Sequence, residues 1–208
     1  MRKALAIGAT AAVVAVVGGT AAFVLTQGPE DQFAECRTSA VAGGAGAIGG
    51  PFELLNSRAE VVTDTDVITK PSLLYFGYTF CPDVCPFDTV RNADAVDILT
   101  ERGYDIQPVF ISIDPERDTP EVVGEFAQNI HPDMIGLTGS AEQVKAASQA
   151  YRTYYKKNES EDPEWYLVDH STFSYLVTPE DGFLDFYRRE LSPEQMADGI
   201  QCFLDAKS

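Results

Sequence analysis

Apolar residues fall along this chain in three rhythms, and each predicts a different kind of element. Ala4 to Thr26 holds no charged side chain and follows a basic tip, Met1-Arg2-Lys3. At about 1.5 Å of rise per residue, a helical run of that length reaches across a hydrocarbon core of about 30 Å. Ser72–Tyr78 and Pro108–Ile113 are short, continuous apolar runs without alternation, the pattern of strands covered on both faces of a sheet. Elsewhere apolar positions return at helical spacing. One such helix carries Cys85, Val90, Ala93, Val96 and Leu99 and stops at Gly103; a second carries Val122, Val123, Phe126 and Ile130 behind Thr119-Pro120-Glu121. Ser140-Ala-Glu-Gln143 and Ser192-Pro-Glu-Gln195 are capping boxes that open two more.

Shorter signals fill the gaps. Phe52–Leu55 and Glu60–Val62 flank Asn56-Ser57-Arg58 and predict a hairpin, followed by turn and cap chemistry at Thr63–Asp66. Tyr166–Val168 and Tyr175–Val177 read as strands, and the turn Pro179–Gly182 leads from the latter into Phe183–Tyr187. The order is hairpin, β-α-β, helix, hairpin, terminal helix. A β-α-β unit followed by a helix, a β-hairpin and a last helix is the order of a thioredoxin-like α/β fold, here with an added N-terminal β-hairpin. The chain is therefore divided into a cytoplasmic tip (1–3), a single transmembrane anchor (4–26), a Gly/Ala-rich linker (27–50) and the thioredoxin-like domain (51–208). A cleaved signal peptide is the competing reading of the first segment, but its apolar stretch exceeds the usual 7–15 residues. In both readings the basic tip stays cytoplasmic and the domain is exported.

The formal net charge of −17 repels phosphates and argues against nucleic acid. Glu159, Glu161, Asp162 and Glu164 form the densest acidic cluster, which reads as a solvated loop. The four cysteines, in an exported protein, allow disulfides with three possible pairings. Pairing Cys81 with Cys85 leaves Cys36 with Cys202, a bond that would tie the N-terminal arm to the last helix; free thiols at the latter two are the alternative.

The chemistry concentrates at Cys81-Pro-Asp-Val-Cys85-Pro, where the strand Ser72–Tyr78 feeds a helix. A helix start favours thiolate, and positions i and i+4 of a helix share a face, with Pro82 tolerated at the first helical position. Such a pair either closes a disulfide or grips a soft metal ion. Of the two histidines, His131 precedes Pro132 at a helix stop, where the dipole explains it. His170 follows a strand in Val168-Asp-His-Ser-Thr-Phe173 and has no such structural explanation.

Several motifs in order resemble the Sco/SenC family: the six residues from Cys81, Ser112-Ile-Asp-Pro-Glu-Arg-Asp-Thr-Pro120, Val168–Phe173, Gly49-Gly-Pro-Phe52 and Gly136-Leu-Thr-Gly-Ser140. The resemblance implies a membrane-anchored thioredoxin-like protein that binds copper and helps assemble the dinuclear copper centre of cytochrome c oxidase. It implies Cys81, Cys85 and His170 as copper ligands, for Cu(I) or Cu(II), since thiolates select Cu(I) and imidazole suits both. The implied partner is the copper-accepting subunit of the oxidase. The implied location is a bacterial inner membrane with the domain in the periplasm, ahead of a mitochondrial inner membrane. A metallochaperone, not an enzyme, is the first expectation. A thiol–disulfide oxidoreductase cycling Cys81 and Cys85 is the second, against which stands a spacing one residue wider than Cys-x-x-Cys. Asp83 or Asp169 is expected to orient a ligand, Tyr78, Phe80 and Phe173 to shield the site, and Asp114–Asp118 to form a turn and helix entry with a docking role.

Overall fold

The computed structural model describes residues 31–37, 45–162 and 165–207. The anchor expected over 4–26 lies outside these, and among the described residues no helix is long and apolar enough to cross a membrane. The chain divides into two units at Cys36. Of the first, residues 31–35 form a turn in which the Phe33 N–H donates to Asp31 Oδ1 (3.0 Å). The second unit carries the described sheets and helices and all four cysteines.

Its centre is β3 (Ser72–Gly77), buried at all six positions, as the unbroken apolar run predicts. β3 pairs in parallel with β4 (Gln107–Ser112) on one side and antiparallel with β8 (Ser174–Thr178) on the other. β9 (Gly182–Tyr187) extends the β8 side as a hairpin, and β5 (Ile135–Leu137) extends the β4 side in parallel, so the sheet order is β5-β4-β3-β8-β9. β5 is a strand that periodicity could not announce, because three residues between a helix stop and a helix cap show no period. The predicted hairpin is present as β1 (Glu53–Leu55) with β2 (Val61–Thr63). It joins the sheet edge through reciprocal backbone bonds between Leu55 and Thr138 (2.7 and 2.9 Å).

The helices begin where cap chemistry places them. Thr63 precedes a single turn, α1 (Asp64–Val67), and Asp66 accepts from its N–H (2.9 Å). The longest helix among the described residues, α2 (Val84–Glu101), follows β3 and packs against the last one. Thr119 caps α3 (Pro120–Ile130), Ser140 caps α4 (Ala141–Ala150) and Ser192 caps α5 (Pro193–Asp205). Side chains of Ser140 and Ser192 meet the N–H three residues on, while Gln143 and Gln195 return the bond, satisfying donors that a helix start leaves orphaned. In the interior, Phe76, Tyr151 and Tyr175 stack mutually at 5.5–5.8 Å between centroids.

A disulfide joins Cys36 to Cys202 on α5, across 166 residues of sequence. Beside it Arg37 donates to the Leu184 carbonyl and lies over the Phe203 ring. Within the stretch 27–50, residues 45–47 form a single 3-10 turn, and the Gly49 N–H donates to the Ala150 carbonyl (2.9 Å).

Candidate metal centre

At the C-terminal end of β3 the chain turns tightly, and the Cys81 N–H donates back to the Tyr78 carbonyl (3.3 Å). α2 begins only at Val84, with Asp83 as its N-cap residue. Cys81 and Pro82 therefore precede the helix, which corrects the expectation of two cysteines on one helical face. The convergence has another cause. The loop doubles back over the helix start, so the N–H of Cys85, in the first turn, points at Cys81 Sγ (3.4 Å). That N–H is one of the donors a helix start leaves without an intrahelical acceptor. The sulfur takes up what the Asp83 side chain does not, since Asp83 makes no cap bond.

His170 arrives from the other side. It ends β7 (Val168–His170), which pairs antiparallel with β6 (Tyr155–Lys157), His170 opposite Tyr155. The strand expected at Tyr166–Val168 is thus shifted toward His170, which sits on the strand and not beyond it. The short, polar β6 was not anticipated at all. His170 Nδ1 donates to the Ser171 carbonyl (2.8 Å). A carbonyl can only accept, so in the neutral ring the lone pair belongs to Nε2. Nε2 lies 3.2 Å from Cys85 Sγ. The rings of Tyr75 and Tyr78 stand edge-on to the imidazole at 6.2 and 5.8 Å.

The ligand atoms of Cys81, Cys85 and His170 all lie within 4.8 Å of one another, with both cysteines buried and unbonded. Metal–sulfur bonds of about 2.3 Å and metal–nitrogen bonds of about 2.0 Å in a three-coordinate site set its donors about 4 Å apart. The three side chains fit one ion after small adjustments. Electrostatics divides the two thiols. Cys81 is held well below the ordinary thiol range, first by the hydrogen bond from Cys85, then by the His170 ring and by the backbone N–H groups of Cys85 and Asp83, against the opposing effect of burial. Cys85 is pushed far upward by the same bond with Cys81 and by its own burial. The same contact lowers one sulfur's pKa and raises the other's, so Cys81 is the more readily ionised of the two. Gly77 makes the room: a Cβ there would stand 3.1 Å from Cys85 Sγ and 2.8 Å from the Tyr75 ring.

The SCO1/SenC family model matches residues 41–205. The chain belongs to that family. It is 57% identical over 205 residues to Protein SenC of Rhodobacter capsulatus, covering 98% of this chain and 91% of that one. It is 46% identical over 158 residues to Protein SCO1 homolog 1, mitochondrial, of Arabidopsis thaliana, covering 76% of this chain and 47% of that one, so it spans about half of the plant protein. The crystal structure of Arabidopsis thaliana ScoI with copper bound superposes with a TM-score of 0.72 at 45% identity, covering 76% of this chain and 99% of that one. Sco structures of this kind establish the thioredoxin-like α/β fold.

Around the three convergent residues, this SCO1/SenC member builds a support that sequence patterns only half disclose. Asp118, fully buried, accepts from the Thr79 N–H (3.0 Å), the Thr79 hydroxyl and the Ser112 hydroxyl (2.6 Å), fixing the chain two residues before Cys81. Burial raises the Asp118 carboxyl's pKa, and those bonds oppose the rise. Arg117 donates to Asp114 (2.6 Å) and to the Tyr166 carbonyl (3.0 Å) and lies 3.5 Å over the Tyr166 ring. Tyr166 in turn donates to Asp114 (2.6 Å), and Tyr78 accepts the Val168 N–H (3.2 Å). The segment Asp114–Asp118 forms the turn and helix entry read from sequence, and through Asp114, Arg117 and Asp118 it also clamps the Cys81 loop to the strand of His170. The signal available was three acids and an arginine in five residues.

The other expected participants divide. Tyr78 is buried against the imidazole, whereas Phe80 is half-exposed and Phe173 packs on Phe186 at 4.8 Å. Asp169 does not orient a ligand; it is exposed and accepts from Asn158 (3.0 Å), and the Ser171 carbonyl holds His170 instead. Asp83 contributes its backbone N–H. His131 caps α3, its N–H donating to the Ala127 carbonyl, and its ring bonds Asp97 (3.2 Å). Its sequence context is sufficient explanation.

Proposed function

We propose that this SCO1/SenC protein is a copper metallochaperone that binds one copper ion through Cys81, Cys85 and His170 and delivers it for assembly of the dinuclear copper centre of cytochrome c oxidase. The observation that carries the reading is the convergence of those three side chains, their donor atoms within 4.8 Å despite lying on separate elements. A copper-bound structure of a relative with the same fold supports the choice of metal. Two sulfurs and one imidazole nitrogen suit Cu(I). Copper entry displaces the proton of Cys85, since a thiol must ionise to ligate. A three-coordinate ion keeps a side open for an incoming ligand, whereas a closed four-ligand cage retains its metal. Delivery then proceeds by ligand exchange into the acceptor's own cysteines and histidines. The uncharged run Ala4–Thr26 behind Arg2 and Lys3 supports a single-pass anchor in a bacterial inner membrane with the domain on the periplasmic side.

An anaerobic Cu(I) titration of the full-length protein tests this reading. One equivalent binds the parent, and His170→Ala or the paired substitution of Cys81 and Cys85 by Ser abolishes high-affinity binding. Unchanged stoichiometry and affinity in those variants would remove the reading.

A second reading rests on two free cysteines that meet at the helix start, where the Cys85 N–H points at Cys81 Sγ (3.4 Å): Cys81, whose pKa is lowered, is placed to attack, and Cys85 to resolve. Here the pair would reduce a partner's disulfide and itself become a disulfide. His170→Ala separates the two, because it removes a copper ligand and keeps both thiols: copper binding is lost, whereas exchange persists with its pH profile moved upward.

A further inference from the structure

Asp88 is a buried carboxylate that neither ligates nor belongs to the support of the Cys81 loop. It is 3% exposed and stands one turn beyond Cys85 on α2, where positions three apart share a face. Among the described residues it accepts one hydrogen bond, from the Tyr75 hydroxyl (3.0 Å), and its other oxygen faces Arg189 Nε at 3.7 Å. Tyr75 joins this carboxylate to the metal centre. Its ring stands edge-on to the His170 imidazole, and a Cβ at Gly77 would touch both that ring (2.8 Å) and Cys85 Sγ (3.1 Å). Asp88 also interacts electrostatically with His170. The buried acids described above are engaged differently. Asp118 accepts three bonds that fix the Cys81 loop, and Asp114 is paired with Arg117 (2.6 Å). The guanidiniums near Asp88 compensate it incompletely. Arg91 donates to the Arg188 carbonyl (3.0 Å), to Asn92 (3.0 Å) and to Ser174 (3.1 Å), all neutral acceptors. Arg189 is 40% exposed, so water screens it.

Charge counting gives this carboxylate a use. Two thiolates and a neutral imidazole make a site of net charge −1 around Cu(I) and of zero around Cu(II). A fixed negative charge beside them therefore favours the divalent ion, whereas two sulfurs by themselves favour Cu(I). At an effective dielectric of about 20 and a separation of about 10 Å, each added unit of charge changes the affinity about tenfold. We propose that Asp88 is a specificity-determining residue of this site, its buried charge behind Tyr75 raising the affinity for Cu(II) relative to Cu(I). Arg189, the positive charge on the same carboxylate, acts against it. The proposal rests on the copper reading and adds which residue sets the balance between the two oxidation states of the cargo.

The test separates charge from shape. Full-length protein loaded with one Cu(I) is taken through a mediated electrochemical titration that reads the midpoint potential of the bound copper. Asp88→Asn keeps an oxygen to accept from Tyr75 and removes the charge. Its potential should rise by about 59 mV or more, the one-electron equivalent of a tenfold loss of preference for Cu(II). Arg189→Gln removes the opposing charge, so its potential should fall, and by less, because that side chain is screened. A packing defect has no reason to reverse sign between the two variants. An unchanged or lowered potential in Asp88→Asn overturns the proposal, as does a shift of the same sign in both. Urea unfolding of the copper-free variants reports whether the fold is kept. If Asp88→Asn does not fold, Arg189→Gln decides, and a potential that stays or rises there overturns the proposal. If the parent binds no copper, the functional reading fails by itself. Competition titrations with Cd(II) and Ag(I), soft ions of the two charges that are not reduced by thiolate, then read the same preference. A ratio of Cd(II) to Ag(I) affinity that does not fall in Asp88→Asn overturns the proposal.

Discussion

The two cysteine pairs of this protein are chemically identical and structurally opposite. Cys36 and Cys202 lie 166 residues apart and are bonded; Cys81 and Cys85 lie four apart and are not. Proximity in sequence would favour the reverse. What separates them is what surrounds each sulfur. The near pair is buried in a polar nest of helix-start N–H groups and an imidazole, and the pKa of Cys81 is lowered while that of Cys85 is raised. The distant pair ties the beginning of the domain to its last helix, where a covalent bond restrains the unfolded chain. One pair holds the fold and the other is held by it.

Exchanging serines into each pair gives the sharpest separation. Cys85→Ser removes one of three ligands, and if structural metal binding is worth about 10 kcal/mol in all, a third of it is about 3 kcal/mol, or more than hundredfold in copper affinity. Competitive titration against a chelator measures it, and urea unfolding of the copper-free variant should stay close to the parent. Cys36→Ser/Cys202→Ser should do the converse. Loss of a native cross-link costs about 2–4 kcal/mol of stability, read from the urea midpoint, while copper affinity is retained. Copper affinity that falls with the distant pair would erase the distinction between them.

The same contrast marks what the sequence could disclose. β3 and β4 were legible because a strand covered on both faces needs an unbroken apolar run, and the capping boxes at Ser140 and Ser192 place their helices. The three convergent residues were named through the family motifs; periodicity alone identifies neither His170 nor its strand, since β6 and β7 are three residues each and half-exposed. The helical geometry expected for Cys81 was wrong because a proline-flanked stretch before a helix can be either its first turn or the loop entering it. Only the position of the N-cap decides, and Asp83 falls two residues later than assumed. The clamp of Asp114, Arg117 and Tyr166 spans 52 residues, and no local pattern encodes such a contact.

A smaller effect tests how the near pair is held. Gly77→Ala would put a Cβ 3.1 Å from Cys85 Sγ, 3.0 Å from the Phe110 ring and 2.8 Å from the Tyr75 ring. Overpacking of a filled core costs about 1–3 kcal/mol. The urea midpoint should fall accordingly, and copper affinity should weaken by less than in Cys85→Ser, because the ligand is shifted and not lost. Full stability with full affinity would mean that the Cys85 thiol is not seated against this strand.

The smallest effect is a movement of reactivity along the pH axis. Iodoacetamide attacks thiolates, so the rate at Cys81 should already be near its plateau at neutral pH and fall only in acid, well below the ordinary thiol value of about 8.5. Cys85, held protonated and buried, should stay unlabelled across the same range, and Cys36 and Cys202 should remain silent until a reductant opens their bond. The leading cause of the Cys81 shift is the hydrogen bond from Cys85. Cys85→Ala removes that donor and leaves the His170 ring and the backbone N–H groups, so the Cys81 profile should move upward toward the ordinary range without reaching it. A profile that does not move would assign the thiolate to the imidazole and the helix start; one that moves the whole way would leave neither a share in holding it.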